Sequence, residues 1–191
     1  MAKALVFLAT GFEEIETVTI VDVLRRAGID VTVAGLTFNV IEGAHEIKMV
    51  PDKSIDDVKV ENFDAVVVPG GSPGYKNLRE DPRVIDIVKE AFKSDKIVAA
   101  ICAAPAVLSD AGILNGKFCT IYPGMENELE IGGGKPKQAN VVVDGNIITS
   151  RGPATALPFA LKIAEKLVGK QITDAVREKT LTNILKWEKA N

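Results

Sequence analysis

The sequence predicts a single α/β domain with a mostly parallel central sheet and helices on both faces. The predicted strands are short, near-continuous apolar runs such as Ala65–Val68 and Ile97–Ile101, which is typical of parallel strands covered on both sides. Segments with helical patterning alternate with these runs along the chain. The 191 residues, 47% hydrophobic and 26% charged, are enough to build one sizeable core.

The first half of the chain opens with a predicted strand over Ala4–Ala9. This apolar run is too short for a signal peptide or a membrane span. A helix is predicted over Glu13–Ala27, because Gly28 supplies a helix-ending residue directly after it. The other elements predicted in this half are strands over Asp30–Leu36 and Ala65–Val68, and a small hairpin made of Val40–Ile41 and Glu46–Val50.

The second half continues the alternation. Pro82 and Pro105 are each predicted to open a helix, since proline is favoured at the first helical position. Asp144-Gly145-Asn146 is a hairpin signal. The predicted elements are helices over Pro82–Lys93, Pro105–Ala111, Ala154–Val168 and Ile172–Trp187, strands over Ile97–Ile101, Phe118–Ile121, Val141–Val143 and Ile147–Thr149, and a loop over 124–138. Residues 170–191 are expected to form a C-terminal helical extension of the single domain 1–191.

Charge and cysteine content restrict the function. The net charge of −3 and the isoelectric point of about 5.3 give no basic surface for nucleic acid and do not favour acidic substrates. No segment predicts a membrane partner. Two cysteines, with no targeting segment predicted, favour free thiols in a reducing compartment, so a cytoplasmic location is expected.

Cys102 is the first candidate site residue. It follows the strand Ile97–Ile101 and precedes a helix that Pro105 opens, so it lies in a strand-to-helix turn of the kind that presents a nucleophile. The helix N terminus is expected to lower the pKa of the thiol and favour the thiolate. The alternative is that Cys102 is a small buried core residue.

Two further features fall at strand ends or near them. Gly70 and Gly71 follow a buried strand, and with the N–H of Ala103 they could form an oxyanion pocket, although a plain turn also explains the pair. Glu16 lies one turn into the first helix among apolar residues. A partly buried carboxyl near a thiolate would have a raised pKa and could carry a proton.

These segments resemble a known family. The stretches "ATGFEEIETVTIVDVLRRAG", "FDAVVVPGG", "VAAICAAPAVL", "YPGMENEL" and "ITSRGPATALPFALKIAEKLVG" are similar, in this order, to the ThiJ/PfpI superfamily and within it to the Parkinson-disease-linked deglycase and redox-chaperone branch. The resemblance covers roughly residues 3–170. It implies a flavodoxin-like three-layer sandwich and a homodimer. It also implies that Cys102 is the reactive cysteine, that Glu16 is the protonated glutamate bonded to it, and that Gly70, Gly71 and Ala103 line an oxyanion pocket.

Two departures from that pattern affect the chemistry. Tyr122 stands where some relatives carry histidine, and Ala103 stands where the intracellular-protease branch carries histidine after the cysteine. The only histidine is His45, so neither a local Cys–His pair nor a histidine-rich metal site is expected. Tyr122 is expected to line the pocket, where its hydroxyl can hydrogen-bond but is a poor base near neutral pH.

The sequence therefore favours an enzyme that uses no cofactor and no metal, in which the Cys102 thiolate acts on small reactive carbonyls or on glycated proteins, as a glyoxalase or deglycase. The alternative is a redox-sensing chaperone in which the same cysteine is oxidised to sulfenic and then sulfinic acid. A cysteine peptidase is less favoured because of Ala103. A homodimer is also expected from the first helix, whose apolar residues leave little polar surface: Val18, Ile20, Val21, Val23 and Leu24.

Overall fold

A computed structural model describes residues 1–184 and contains eleven strands over that range. Seven of them form the main sheet, and the other four form two small two-stranded sheets. In chain order the strands are Lys3–Leu8 (β1), Asp30–Gly35 (β2), Ile41–Glu42 (β3), Lys48–Met49 (β4), Lys53–Ser54 (β5), Ala65–Val68 (β6), Ile97–Ile101 (β7), Phe118–Cys119 (β8), Lys135–Pro136 (β9), Val141–Asp144 (β10) and Ile147–Ser150 (β11).

The main sheet has the strand order β10-β11-β7-β6-β1-β2-β5. Every pair in it is parallel except β10 with β11, which form the predicted antiparallel hairpin. The predicted mostly parallel sheet is confirmed. Its carboxyl edge brings together the ends of β1, β6, β7 and β11, the positions at which ligands bind in open α/β sheets.

Helices cover both faces of the sheet. Seven α-helices lie within the described residues: Glu14–Arg26 (α1), Gly74–Glu80 (α2), Pro82–Lys93 (α3), Pro105–Asp110 (α4), Glu126–Ile131 (α5), Ala156–Val168 (α6) and Lys170–Lys179 (α7). Side chains alternate along each strand, so Leu5 and Phe7 of β1 join the core under α2 to α5, whereas Val6 and Leu8 join the core under α1 and α6. The predicted three-layer sandwich is confirmed.

Some elements differ from those predicted. The segment 124–138, predicted as a loop, contains α5 and β9. Only Leu129 of α5 is buried, and one apolar residue gives no helical period in the sequence. The helix α2 and the two-residue strand β5 were also missed. The predicted helix over Ile172–Trp187 is divided: α7 ends at Lys179, a 3-10 turn covers Thr182–Ile184, and residues 185–191 lie outside the described part of the chain.

No helix within residues 1–184 combines enough length with enough apolar character to cross a membrane.

Candidate active site

Cys102 occupies a strained turn between β7 and α4. Its backbone φ is 63°, in the left-handed region that residues other than glycine rarely adopt. The turn is held from both sides, since the Cys102 N–H donates to the Ser150 carbonyl at 3.0 Å and its own carbonyl accepts the Tyr122 N–H at 2.8 Å. The cysteine therefore sits in a nucleophile-type elbow fixed by the neighbouring strand and loop.

Glu16 meets this elbow from the opposite layer. Its side chain, carried by α1, is fully buried, and its Oε2 accepts the Gly70 N–H at 2.9 Å. The Cys102 thiol lies against the same carboxyl and favours its charged form, while Oε1 has no hydrogen-bond partner among the described residues. Burial raises the pKa of Glu16 to about 7, against the lowering effect of the Gly70 and Cys102 hydrogen bonds.

Gly70 is required by this close approach. A Cβ atom at Gly70 would lie 2.6 Å from the Cys102 Cβ and 2.7 Å from the Glu16 Oε2, both well inside van der Waals contact. Its N–H is engaged by the Glu16 carboxylate. Gly70 thus holds and spaces the two reactive groups, and in this arrangement its N–H does not face the cavity.

The N–H groups of Gly71 and Ala103 take a different position. Both face the Cys102 sulfur and lower the pKa of the thiol, so two backbone donors converge on this atom. Gly71 adopts a φ of +99°, and a Cβ there would overlap the backbone of Gly11, Phe12 and Glu13. Glycine is therefore the residue that fits this turn.

The thiol pKa departs from the sequence-based expectation. Burial raises the pKa of Cys102 to about 12, the negative charge of Glu16 adds to this rise, and the N–H groups of Ala103 and Gly71 lower it by less. Burial also raises the pKa of Cys119, to about 11. The helix N terminus by itself therefore does not make Cys102 more acidic than Cys119. The expectation that the pKa of Cys102 is lowered is wrong when Glu16 is ionised.

The protonation state of Glu16 affects the pKa of the Cys102 thiol, while burial, the largest cause of its rise, acts in either state. When Glu16 carries the proton, its charge is lost and its O–H can donate to sulfur, so two causes of the raised thiol pKa are removed. The pair therefore titrates as a unit rather than as two independent groups. A neutral Glu16 therefore favours the thiolate form of Cys102.

The thiol opens into a cavity of about 350 Å³. Tyr122 forms part of its wall and is half-exposed. The lining residues are Glu13, Gly71, Ser72, Tyr75, Cys102, Ala103, Tyr122, Met125 and Pro153. Five of them were missed from the sequence, although Ser72 and Pro153 each follow shortly after a predicted strand, which is the signal that could have identified them.

His45 lies outside this cavity. Its N–H donates to Glu14 Oε1 at 2.6 Å and its Nδ1 lies 2.9 Å from Glu14 Oε2. Together with Glu13, these side chains place three possible metal-ligand atoms within 4.8 Å of one another. The hydrogen bonds account for the cluster, because they fasten the β3–β4 hairpin to the start of α1.

Comparisons with known proteins identify the family of the chain. Residues 2–166 match the DJ-1/PfpI family model. The chain is 46% identical to Protein dj-1beta of Drosophila melanogaster over 88% of its own length and 91% of that protein. It is 39% identical to the glutathione-independent glyoxalase DJR-1.2 of Caenorhabditis elegans over 86% and 87% of the two chains.

A solved structure gives the same result for the fold. The crystal structure of Drosophila melanogaster DJ-1beta superposes with a TM-score of 0.90 at 44% sequence identity, covering 94% of this chain and 97% of that one. The chain belongs to the DJ-1/PfpI family.

Proposed function

We propose that the protein is an enzyme that needs no cofactor and converts small reactive carbonyls, such as methylglyoxal, through a covalent bond to Cys102. The observation that carries the proposal is the contact of the Cys102 thiol with the buried Glu16 carboxyl, beside two backbone N–H groups. The cavity of about 350 Å³ matches a small substrate. The name of the Caenorhabditis elegans relative, a glutathione-independent glyoxalase, gives further support.

The first step forms a hemithioacetal. The Cys102 thiolate sulfur attacks the aldehyde carbon, a C–S bond forms, and the carbonyl π electrons move to oxygen. Glu16, neutral in this state, gives its proton to that oxygen and becomes a carboxylate. The N–H groups of Gly71 and Ala103 face the sulfur and can stabilise the negative charge near it during this step.

The second stage is an internal oxidation and reduction. The Glu16 carboxylate removes the hydrogen of the former aldehyde carbon as a proton, and an enediolate forms with its negative charge on the former ketone oxygen. Glu16 returns this proton to the former ketone carbon, and the hydroxyl proton of the former aldehyde carbon moves to the former ketone oxygen. The ketone is thereby reduced to an alcohol, and a thioester is left on Cys102. Water then hydrolyses the thioester, releasing lactate and the free thiol, so no external oxidant or reductant is consumed.

The experiment is steady-state lactate formation from methylglyoxal, with the same preparation assayed for removal of early adducts from a glycated peptide. Cys102→Ser is expected to abolish both activities, and Cys119→Ser to retain them if the fold is intact. Treatment with a chelator is expected to leave the rates unchanged. Full activity in Cys102→Ser would overturn the proposal, as would loss of activity on chelation.

Redox sensing with chaperone activity is the second candidate function. A sulfinate on Cys102 would accept hydrogen bonds from the Gly71 and Ala103 N–H groups and from the O–H of neutral Glu16. The cavity gives peroxide access to the sulfur. Peroxide-dependent protection of an unfolding client protein, lost in Cys102→Ser, would support this function. A peptidase is not proposed, because no histidine is among the residues that line the cavity.

We also propose a homodimer in the cytoplasm. Much of the apolar surface of α1 is used within the protomer, since Ile20, Val21, Val23 and Leu24 are buried. What supports a partner is the remainder: Ile15 and Val18 on α1, with Ile47 and Val50 on the hairpin side, are about half exposed or more. A second copy on this surface would cover these residues.

A further inference from the structure

Arg151 stands apart from the other arginines of the chain. Of the six arginines, five have a carboxylate oxygen within 4 Å: Arg25, Arg26, Arg79, Arg83 and Arg177. Arg151 is partly buried, yet within residues 1–184 it has neither an ion pair nor a hydrogen bond through its guanidinium. A planar guanidinium with five donors and no acceptor in reach is suited to an anionic ligand.

Its position follows from the register of the sheet. Ser150 pairs with Ile101 across β11 and β7, and the Ser150 carbonyl accepts the Cys102 N–H. Arg151 is therefore the residue after the one that holds the reactive cysteine. Three contacts fix its backbone: Ser150 Oγ lies 2.7 Å from Thr155 Oγ1, which also donates to the Gly152 carbonyl and accepts the Gly152 N–H.

Arg151 lines a shallow groove of about 200 Å³ that continues from the Cys102 cavity. Tyr122 and Pro153 belong to both the cavity and the groove. Arg151 is the one cation among the lining residues of the two. A molecule bonded to Cys102 that extends past Tyr122 would therefore reach a single positive group.

The charged side chains of the neighbouring cavity do not pair with the Arg151 guanidinium within the described chain. Arg151 also lines a smaller cavity with Lys137, Glu126 and Glu130. Neither glutamate lies within ion-pair distance of the guanidinium, and Glu126 Oε2 already accepts the Gly124 N–H. Lys137 has its ammonium over the Phe118 ring. Arg151 therefore keeps its donors available.

We propose that Arg151 is a specificity-determining residue that binds a carboxylate on the carbonyl substrate, so that anionic 2-oxoaldehydes are preferred over neutral ones. The inference rests on the proposed function of Cys102 and names its substrate class. It also qualifies what the net charge of −3 suggests, because Arg151 places one positive group in the groove that adjoins the cavity.

The first experiment needs no catalytic turnover. The rates at which Cys102 reacts with iodoacetate and with the neutral iodoacetamide are measured by mass spectrometry for the wild type, Arg151→Gln and Arg151→Lys. The ratio of the iodoacetate rate to the iodoacetamide rate is expected to fall about 3-fold or more in Arg151→Gln, the scale for one charge several ångströms away in a partly solvated site. Arg151→Lys is expected to retain much of the ratio.

The second experiment compares kcat/KM for 4,5-dioxopentanoate with that for 2-oxopentanal, which has the same chain length and no carboxylate. Arg151→Gln is expected to lower the ratio of these two values about 10-fold or more, the scale for loss of a charge-assisted hydrogen-bonded pair. The matched control is Lys166→Gln, which removes the same charge from an exposed site near the far end of α6 and is expected to keep the ratio.

The outcomes separate the two proposals. An unchanged ratio in both experiments overturns the role of Arg151, and so does an equal fall for the charged and the neutral reagent, which would mean a merely structural effect. If wild type turns over neither carbonyl, the proposed function fails, while the alkylation ratio still supports or overturns anion binding by Arg151.

Discussion

Gly70 allows Glu16 of α1 and Cys102, at the end of β7, to lie side by side. The Gly70 N–H donates to the Glu16 Oε2 at 2.9 Å, and the missing Gly70 side chain leaves the space in which the Cys102 Cβ and the carboxyl both lie. One backbone residue thus sets the distance and the electrostatics of the pair. The following predictions depend on that relationship and on the surface around it.

Glu16→Gln is expected to lower kcat for methylglyoxal on the order of 10²-fold or more, because the amide keeps the shape of the carboxyl but cannot carry the proton. The pH dependence of the remaining activity should also lose the ionisation that burial places at about 7 in Glu16. A pH profile of kcat/KM for both proteins measures this. An unchanged profile in the variant would mean that Glu16 is not the proton carrier.

Gly70→Ala is expected to reduce activity and to destabilise the fold by about 1–3 kcal/mol, the range for overpacking a closely packed site. The added Cβ would lie 2.6 Å from the Cys102 Cβ, so the thiol and carboxyl must separate. Chemical denaturation and the methylglyoxal assay test both effects. Gly152→Ala is the control for stability, because the nearest atom to its Cβ would be a Tyr122 ring carbon at an ordinary 3.5 Å.

Stability is expected to fall as the pH rises from about 4.5 to about 7. Burial gives Glu16 a pKa of about 7, above the ordinary value of 4.5. The native state therefore binds this proton more tightly than the unfolded state does. The resulting stabilisation of the fold is complete below the pKa of the unfolded state and is lost as the pH rises through the pKa of the folded state. The expected loss is on the order of 1–3 kcal/mol. Urea denaturation at a series of pH values measures it.

Glu16→Gln should remove most of that slope. His45 also titrates in this region, since its hydrogen bond to Glu14 raises the imidazole pKa above 6.5. Its contribution has the same sign and is lost at higher pH, so the comparison is made in a His45→Gln background. Equal slopes with and without Glu16 would contradict the assignment of the buried carboxyl.

The protein is expected to sediment as a dimer of 20.4 kDa chains at micromolar concentration. Val18→Lys together with Val50→Lys should shift it to the monomer, because both side chains are exposed in the protomer and a charge would oppose their burial in an interface. Light scattering and sedimentation velocity measure the mass. Lys59→Glu at an exposed site away from α1 is the control, and a wild type of about 20 kDa would exclude the dimer.

Much of this fold is determined by local sequence. Continuous apolar runs such as Ala65–Val68 are typical of strands in a sheet that is covered on both faces. Pro105 opens a helix because its fixed φ suits the first helical turn. For the same reason, the small residues around Cys102 predicted the elbow. Where the local signal is weak, as in α5 with its single buried residue Leu129, the sequence did not predict the element.

The chemistry of the site depended on contacts that the sequence does not contain. Glu16 and Gly70 are 54 positions apart, and only the tertiary fold, which brings the first turns of α1 to the turn after β6, makes them partners. The pKa of a group depends on its burial and on neighbouring charges, so the carboxyl at about 7 and the thiol at about 12 are properties of the assembled core. The sequence named Cys102 and Glu16, but the tertiary structure decided that their pKa values depend on each other, and it left Arg151 in the adjoining groove without a carboxylate partner within the described chain.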